Sequence, residues 1–314
     1  MAVSKHIVFT LMFISLISFN ELVPVSGETN KYVKLPLGQN QTGPEAIAFD
    51  CKGEGPYVGI SDGRILKWQG HHIGWTTYAV TAPYRSDSCD GVDGIPKEKE
   101  CGRPLGMRFD MRTCELYVAD SSFGLMKVGP EGGVASPIIN GNPFLFLNSL
   151  DVDFVNNLIY FSETSTKYPH WEAGEAINNG DKSGRLMKYN MKTGEVTVLL
   201  TGLSFANGVS LSKNNDFVLV AETTANQTLK YWLTGYIAGS HEVIQLNGRP
   251  DNINRDANGD FWIAIQLGKS VKINHLGKIL ENLEGDEIVN PTDVSEFHNR
   301  LWFGFIDHPY IYHT

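Results

Sequence analysis

Charge is scarce in this chain: Asp, Glu, Lys and Arg make up 19% of its 314 residues. Long solvated helices need such residues on their outer faces, so the shortage argues against an all-α fold. Basic residues are the scarcer kind, 26 Lys and Arg against 35 Asp and Glu, and they form no cluster. Phosphate backbones are held by clustered Lys and Arg, so no nucleic acid partner is expected, and the formal net charge of −9 mainly favours solubility. Beyond the N-terminus no apolar stretch is long enough to span a bilayer, so no transmembrane segment is expected in the mature chain. Cysteine is limited to four residues at spacings unlike those of zinc ligands, and the sequence carries neither a glycine-rich phosphate loop nor a nucleophile elbow. What it has instead is 32 Gly, 16 Phe, 12 Tyr and 6 Trp, the composition of short strands joined by tight turns.

The N-terminus reads as a targeting segment. Lys5 and His6 precede an apolar-to-small run from Ile7 to Phe19, and Val25-Ser26-Gly27 supplies small residues for a cut. Residues 1–27 are therefore expected to be a secretory signal, leaving 28–314 as one domain in the secretory pathway, in the vacuole or outside the cell. The cysteines suit that compartment. Cys89 and Cys101 flank a Gly-, Pro- and Asp-containing loop that has no means of packing a core, so a disulfide is expected to pin it. Cys51 and Cys114 either pair with each other or stay as buried thiols. Asn40 and Asn226 head glycosylation sequons, whereas the one at Asn290 is blocked by Pro291.

An internal repeat organises the rest. A short alternating strand that ends near a polar residue is followed, after a turn, by an aromatic-rich strand: Ala46–Asp50 with Tyr57–Ser61, Gly106–Asp110 with Glu115–Asp120, and Ser149–Asp153 with Leu158–Glu163. Gly208–Ser212 with Phe217–Glu222, Asn252–Asp256 with Phe261–Ile265, and Asp293–Phe297 with Leu301–Phe305 complete six copies. Third strands follow each pair, and fourth strands are readable at Val134–Ile139, Glu195–Leu200, Glu242–Leu246 and Lys278–Leu283. The expectation is an all-β, six-bladed β-propeller with four-stranded blades, closed by an N-terminal strand, Tyr32–Leu37, that completes the last blade. Equivalent strand ends lie 60, 43, 59, 44 and 41 residues apart. The two long steps predict surface insertions at about 69–103 and 164–184.

Five residues before each equivalent end stand Glu45, Leu105, Asn148, Asn207, Asp251 and Thr292. Each begins an innermost strand beside the central channel, so the six converge. Asn, Asp and Glu also cap turns, but agreement in phase at four of six blades sets Glu45, Asn148, Asn207 and Asp251 apart from scattered turn residues. Several oxygen donors of mixed charge on rigid, separate elements suit a hard divalent cation, with calcium the first choice and magnesium or manganese possible. In the second insertion His170 and Trp171 are candidates for lining a substrate pocket. His71-His72 reads as a polar turn, and Asp293, next to Thr292, is a candidate base or supporting residue for the ligand set, although the strand alternation favours its facing away from the ring.

Cys101-Gly-Arg-Pro104, Ser183-Gly-Arg-Leu-Met-Lys-Tyr189, Phe217–Glu222, Tyr231-Trp-Leu233 and Phe261-Trp262 resemble the plant strictosidine synthase and strictosidine synthase-like family. The resemblance runs over nearly the whole mature chain and implies a six-bladed propeller with a disulfide-pinned loop over the channel. Strictosidine synthase itself condenses tryptamine with secologanin, using a glutamate at the start of the last innermost strand. The matching residue here is Thr292, which has no acid-base function near neutral pH. Glu45, Asn148, Asn207 and Asp251 are similar instead to metal-ligand positions of the gluconolactonase, senescence-marker-protein and paraoxonase group, calcium-type hydrolases of lactones and esters. The resemblance thus implies a metal-dependent hydrolase acting on a small-molecule lactone or ester, with Asn148, Asn207 and Thr292 at the reacting centre. The alternatives are a Pictet-Spengler-type condensing enzyme of alkaloid metabolism and a non-catalytic secreted propeller that binds a partner.

Overall fold

The computed structural model describes residues 32–91, 97–266, 269–284 and 288–314. The expected signal segment lies outside them. Six sheets, antiparallel but for one added edge strand, are arranged as the blades of a propeller. Their innermost strands are Ile47–Ala48, Pro104–Phe109, Leu147–Asp153, Ala206–Leu211, Pro250–Arg255 and Asp293–Phe297. In the sixth blade Val33–Pro36 is the outermost strand, paired antiparallel with Tyr310–His313 from Val33 opposite His313 to Pro36 opposite Tyr310.

Alternation explains the packing, because each blade buries both faces against its neighbours. One apolar cluster fills each gap between adjacent blades. Ile65, Leu116, Val118 and Met126 join blades one and two, and Leu35, Ile47, Val58 and Trp302 join blades six and one. In five of the six blades a polar residue at the end of the innermost strand caps the following turn, Phe297 being the exception. Asp153 accepts the backbone N–H groups of Val155 and Asn156, both at 3.0 Å, and Asp256 accepts those of Asn258, Gly259 and Asp260 at 2.8 to 3.0 Å.

Two expectations change. Gly133–Val134 does not belong to blade two but adds a fifth, parallel strand to the edge of blade one, leaving only Ser136–Pro137 as the outer strand of blade two. The first insertion also starts later than residue 69, because Trp75–Val80 is blade one's fourth strand, with Trp68 opposite Trp75. A six-residue turn from Gln69 to Gly74, containing His71 and His72, separates it from its partner and hides the hairpin from a search for short polar turns. The insertion proper, 81–103, and the second one, 164–183, both rise on the face where the innermost strands begin. Cys89–Cys101 pins the first, with Cα atoms 5.6 Å apart. Cys51 and Cys114 are also paired, Cα to Cα 5.2 Å, joining the turns of blades one and two on the opposite face.

Candidate functional site

Bulges aim the ring residues. In blade three Leu147 pairs with Glu163 and Leu150 with Phe161, so Asn148 and Ser149 share one opposing residue. The same irregularity falls at Asn207-Gly208 and Asp251-Asn252. A bulge twists its strand and re-aims a side chain, here into the channel mouth. Gly208 is needed beside it, since a Cβ there would stand 2.5 Å from the carbonyl oxygen of Asp251 in the next blade.

Glu45, Asn148, Asn207, Asp251 and Thr292 all line one cavity of about 170 Å³. Leu105, the sixth ring position, lies instead against the narrow channel beneath, where Asp293 also sits. Asp293 faces the neighbouring strands, accepting the N–H of Ile47 at 2.7 Å and the amide of Asn254. The five cavity residues are 3 or 4% exposed. Glu45 Oε2, Asn148 Oδ1, Asn207 Oδ1, Asp251 Oδ1 and Thr292 Oγ1 are buried without a hydrogen-bond partner among the described residues. At the other ends of the same strands Asp153 is held by hydrogen bonds on both oxygens, and Asp256, whose Oδ2 also lacks a hydrogen-bond partner, has Lys272 Nζ at 2.6 Å. An unpartnered buried polar atom costs about 1–3 kcal/mol. Five such atoms on one cavity make these residues the candidates for holding a ligand there.

The two amides are held the right way round. Asn148 Nδ2 donates to Thr164 Oγ1 at 3.1 Å, and Thr164 donates to the carbonyl of Ala206 at 2.7 Å. Asn207 Nδ2 donates to Thr223 Oγ1 at 3.3 Å, and Thr223 donates to the carbonyl of Pro250 at 2.8 Å. Because each threonine proton is committed to a carbonyl, each hydroxyl must accept, and each amide oxygen is turned to the cavity. The repeated 16-residue separation of Asn and Thr is a signal that a sequence search for ring partners could have used.

Burial governs the electrostatics. It pushes the Asp251 carboxyl up to about 7 and raises Glu45 well above the usual carboxylate range, Arg103 opposing the latter from 3.7 Å. Arg103 itself is buried and donates to the carbonyl of Gly43 at 2.8 Å. Burial thus opposes ionisation of both ring carboxyls, and only Glu45 has a cationic side chain, Arg103, set against it. No group of three or more His, Cys, Asp or Glu side chains suited to a metal occurs among the described residues, and half of this four-residue set is amide. Such a set suits a hard cation that accepts neutral oxygens, not a nitrogen- or sulfur-seeking metal.

The cavity wall is apolar. Phe146, Phe205 and Ile306 surround it with His170 and with Ala173 and Ile177, which lie one turn apart on the insertion helix Ala173–Asn178. Phe205 has φ of 59°, a strained left-handed conformation for a bulky residue, with its ring edge-on to Phe146 at 5.9 Å. A wider depression of about 660 Å³, bordered by Asn226, Arg249 and Asp307, adjoins the cavity through Gln266, Thr292 and Ile306. Asn40 and Asn226 are both exposed on this face. The sequence offers His170 only as a candidate pocket residue of the second insertion. The structure brings it to the cavity through a contact no spacing reveals, Nδ1 to Glu98 Oε1 at 2.7 Å, between the two insertions.

Family models described as strictosidine synthase and as strictosidine synthase-like, N-terminal, match residues 148–236 and 31–68. A protein of Arabidopsis thaliana named strictosidine synthase-like 10 is 42% identical over 86% of this chain and 84% of its own length. Strictosidine synthase-like 11 of the same plant is 34% identical over 98% of both. The chain belongs to the strictosidine synthase-like family. Among solved structures, a putative gluconolactonase superposes with a TM-score of 0.62 at 13% identity over 90% of each chain, and a gluconolactonase of Xanthomonas campestris with 0.63 at 12% identity over 90% of this chain and 88% of its own. At that identity the likeness is one of fold. Within the strictosidine synthase-like frame, Thr292 remains where the resemblance puts the synthase's glutamate. Two disulfides fit a protein of the secretory pathway, and among the described residues no helix is long and apolar enough to cross a membrane.

Proposed function

We propose that this strictosidine synthase-like protein is a hydrolase of small lactones or esters that works with a hard divalent cation, calcium first, bound by Glu45, Asn148, Asn207 and Asp251 with Thr292 at the rim. The observation that carries the reading is the set of five unpartnered oxygens on one buried cavity. Held by these residues, a cation would polarise the substrate carbonyl and stabilise its developing oxyanion. The chain's own residues do the rest. Phe146, Phe205, Ile177 and Ile306 give a weakly polar ring or acyl group an apolar seat and thin the water around it. Thr164 and Thr223 keep the two amide oxygens pointed inward, so no reorganisation is needed when the site fills. That structural neighbours include gluconolactonases supports a lactone as the first substrate class to try.

A condensing role is disfavoured by Thr292, whose hydroxyl neither takes nor gives a proton near neutral pH. The expected site of action is the secretory pathway, vacuole or cell exterior, with Asn40 and Asn226 carrying glycans. The test is hydrolysis of a lactone and aryl-ester panel by mature protein in calcium and then in chelator. Chelator-sensitive turnover lost in Asn148→Ala and Asp251→Ala supports the reading. Turnover indifferent to chelator sinks it, and strictosidine formation from tryptamine and secologanin would favour the condensing alternative.

A further inference from the structure

The two insertions meet over the cavity at one charged contact. Glu98, in the short helix Glu98–Cys101 of the disulfide-pinned loop, is 1% exposed, and its Oε1 lies 2.7 Å from His170 Nδ1. Glu98 Oε2 is buried with no hydrogen-bond partner among the described residues, so among them the His170 imidazole is the one side chain that the Glu98 carboxyl engages. His170 follows Pro169 at the start of a helical turn, Phe146 braces its ring edge-on at 5.1 Å, and the ring borders the cavity that holds the five oxygens. A surface histidine needs none of this. A buried carboxylate on one ring nitrogen sets the tautomer, leaves the other nitrogen to work as a base, and stabilises the imidazolium that results.

We infer that His170 is the proton acceptor for the attacking water, and that Glu98 is its positioning residue. The inference rests on the hydrolase reading and names the base that the reading lacks. As water oxygen bonds to the carbonyl carbon, His170 Nε2 takes its proton and the carbonyl π pair moves onto the carbonyl oxygen. When the carbon–oxygen bond to the leaving group breaks, the same proton passes to the departing alkoxide. Water and a lactone thus give one hydroxy acid, with His170 returned to its starting state. The ring oxygens cannot fill this role. The two amides and Thr292 are not bases near neutral pH, and Glu45 and Asp251 are the proposed holders of the cation.

The experiment compares calcium-loaded wild type, His170→Gln and Glu98→Gln on δ-valerolactone and phenyl acetate, with calcium affinity by calorimetry and melting temperature by calorimetric scan. The expected result for His170→Gln is a fall in kcat of about 100-fold or more, with KM and calcium affinity changed by less than about threefold. Glu98→Gln should lower kcat by about tenfold or more, and, because it removes no cavity-lining atom, it keeps the test open if His170→Gln folds poorly. A second readout needs no turnover: diethyl pyrocarbonate should carbethoxylate His170 in the cation-free protein, mapped by mass spectrometry, and δ-valerolactam should slow it. Wild-type turnover with His170→Gln within threefold of it, or a His170 that is unmodified or unprotected, overturns the role of His170 and leaves the hydrolase reading standing. A wild type inactive on both substrates overturns the hydrolase reading and the base together.

Discussion

Asn148 Nδ2 lies 3.1 Å from Thr164 Oγ1, and the threonine passes its own proton to the carbonyl of Ala206 at 2.7 Å, which leaves Asn148 Oδ1 facing the channel mouth with no partner among the described residues. The orientation of a proposed ligand atom is thus decided in the neighbouring strand, and blade four repeats the device with Asn207 and Thr223.

Thr164→Val should therefore act on the cation rather than on the substrate. It keeps the side-chain shape, removes the acceptor for the amide, and lets Asn148 turn its nitrogen inward. Calcium affinity measured by calorimetry should fall about 10- to 100-fold, with about 1–2 kcal/mol lost from stability. An unchanged affinity would mean that Asn148 Oδ1 is not a ligand.

Asp251→Asn separates the two roles of a buried carboxylate. Burial raises this group to about 7, so ionising it opposes folding in the cation-free protein. The variant should melt higher than wild type in chelator and lower than wild type in millimolar calcium, because the gain from ligand binding, RT ln(1 + [L]/Kd), disappears. Thermal scans in the two buffers check both signs, and a variant that keeps the full calcium shift would remove Asp251 from the set.

The pH dependence follows from the same groups. Glu45 and Asp251 are raised by burial, as is Asp293, also to about 7, so the folded state holds more protons than the unfolded chain between about pH 4 and 7. Stability of the cation-free protein should rise as pH falls through that window. Asp110, Asp181 and Asp256, lowered by hydrogen bonds and ion pairs, add stability that is lost only below about pH 4. The optimum in chelator should sit near pH 5, and calcium should move it upward, since cation and proton compete for Glu45 and Asp251. Denaturant midpoints at half-unit pH steps check it, and an optimum in chelator above pH 7 contradicts it.

The Cys89–Cys101 link closes a loop whose ends are 12 residues apart. Replacing both by serine should cost about 3 kcal/mol. Because Cys101 ends the helix that carries Glu98, turnover should fall further than calcium affinity does. Parallel kinetic and calorimetric titrations decide it: equal losses in both would mean that the loop supports the ring as a whole.

Much of the fold was legible because it repeats. Alternating strands six times over, with a capping Asp or Ser at five of the equivalent ends, leave few other architectures, and the phase of Glu45, Asn148, Asn207 and Asp251 was visible for the same reason. Blade one resisted: Trp75–Val80 lies beyond a long turn, and Gly133–Val134 joins that blade's edge from a distant part of the chain. A pairing that skips a whole blade leaves no mark in local pattern.

By itself the amino-acid sequence determined the blade count, the disulfide-pinned loop and the convergence of oxygen donors, all of which follow from period and residue type. Only the tertiary structure decided that five of those oxygens have no hydrogen-bond partner among the described residues on one cavity, that Cys51 meets Cys114, and that Glu98 meets His170 across 72 positions of chain. The physical reason is that burial and hydrogen-bond satisfaction belong to the packed molecule. A carboxylate's partner, and hence its chemistry, is chosen by whichever element folds against it.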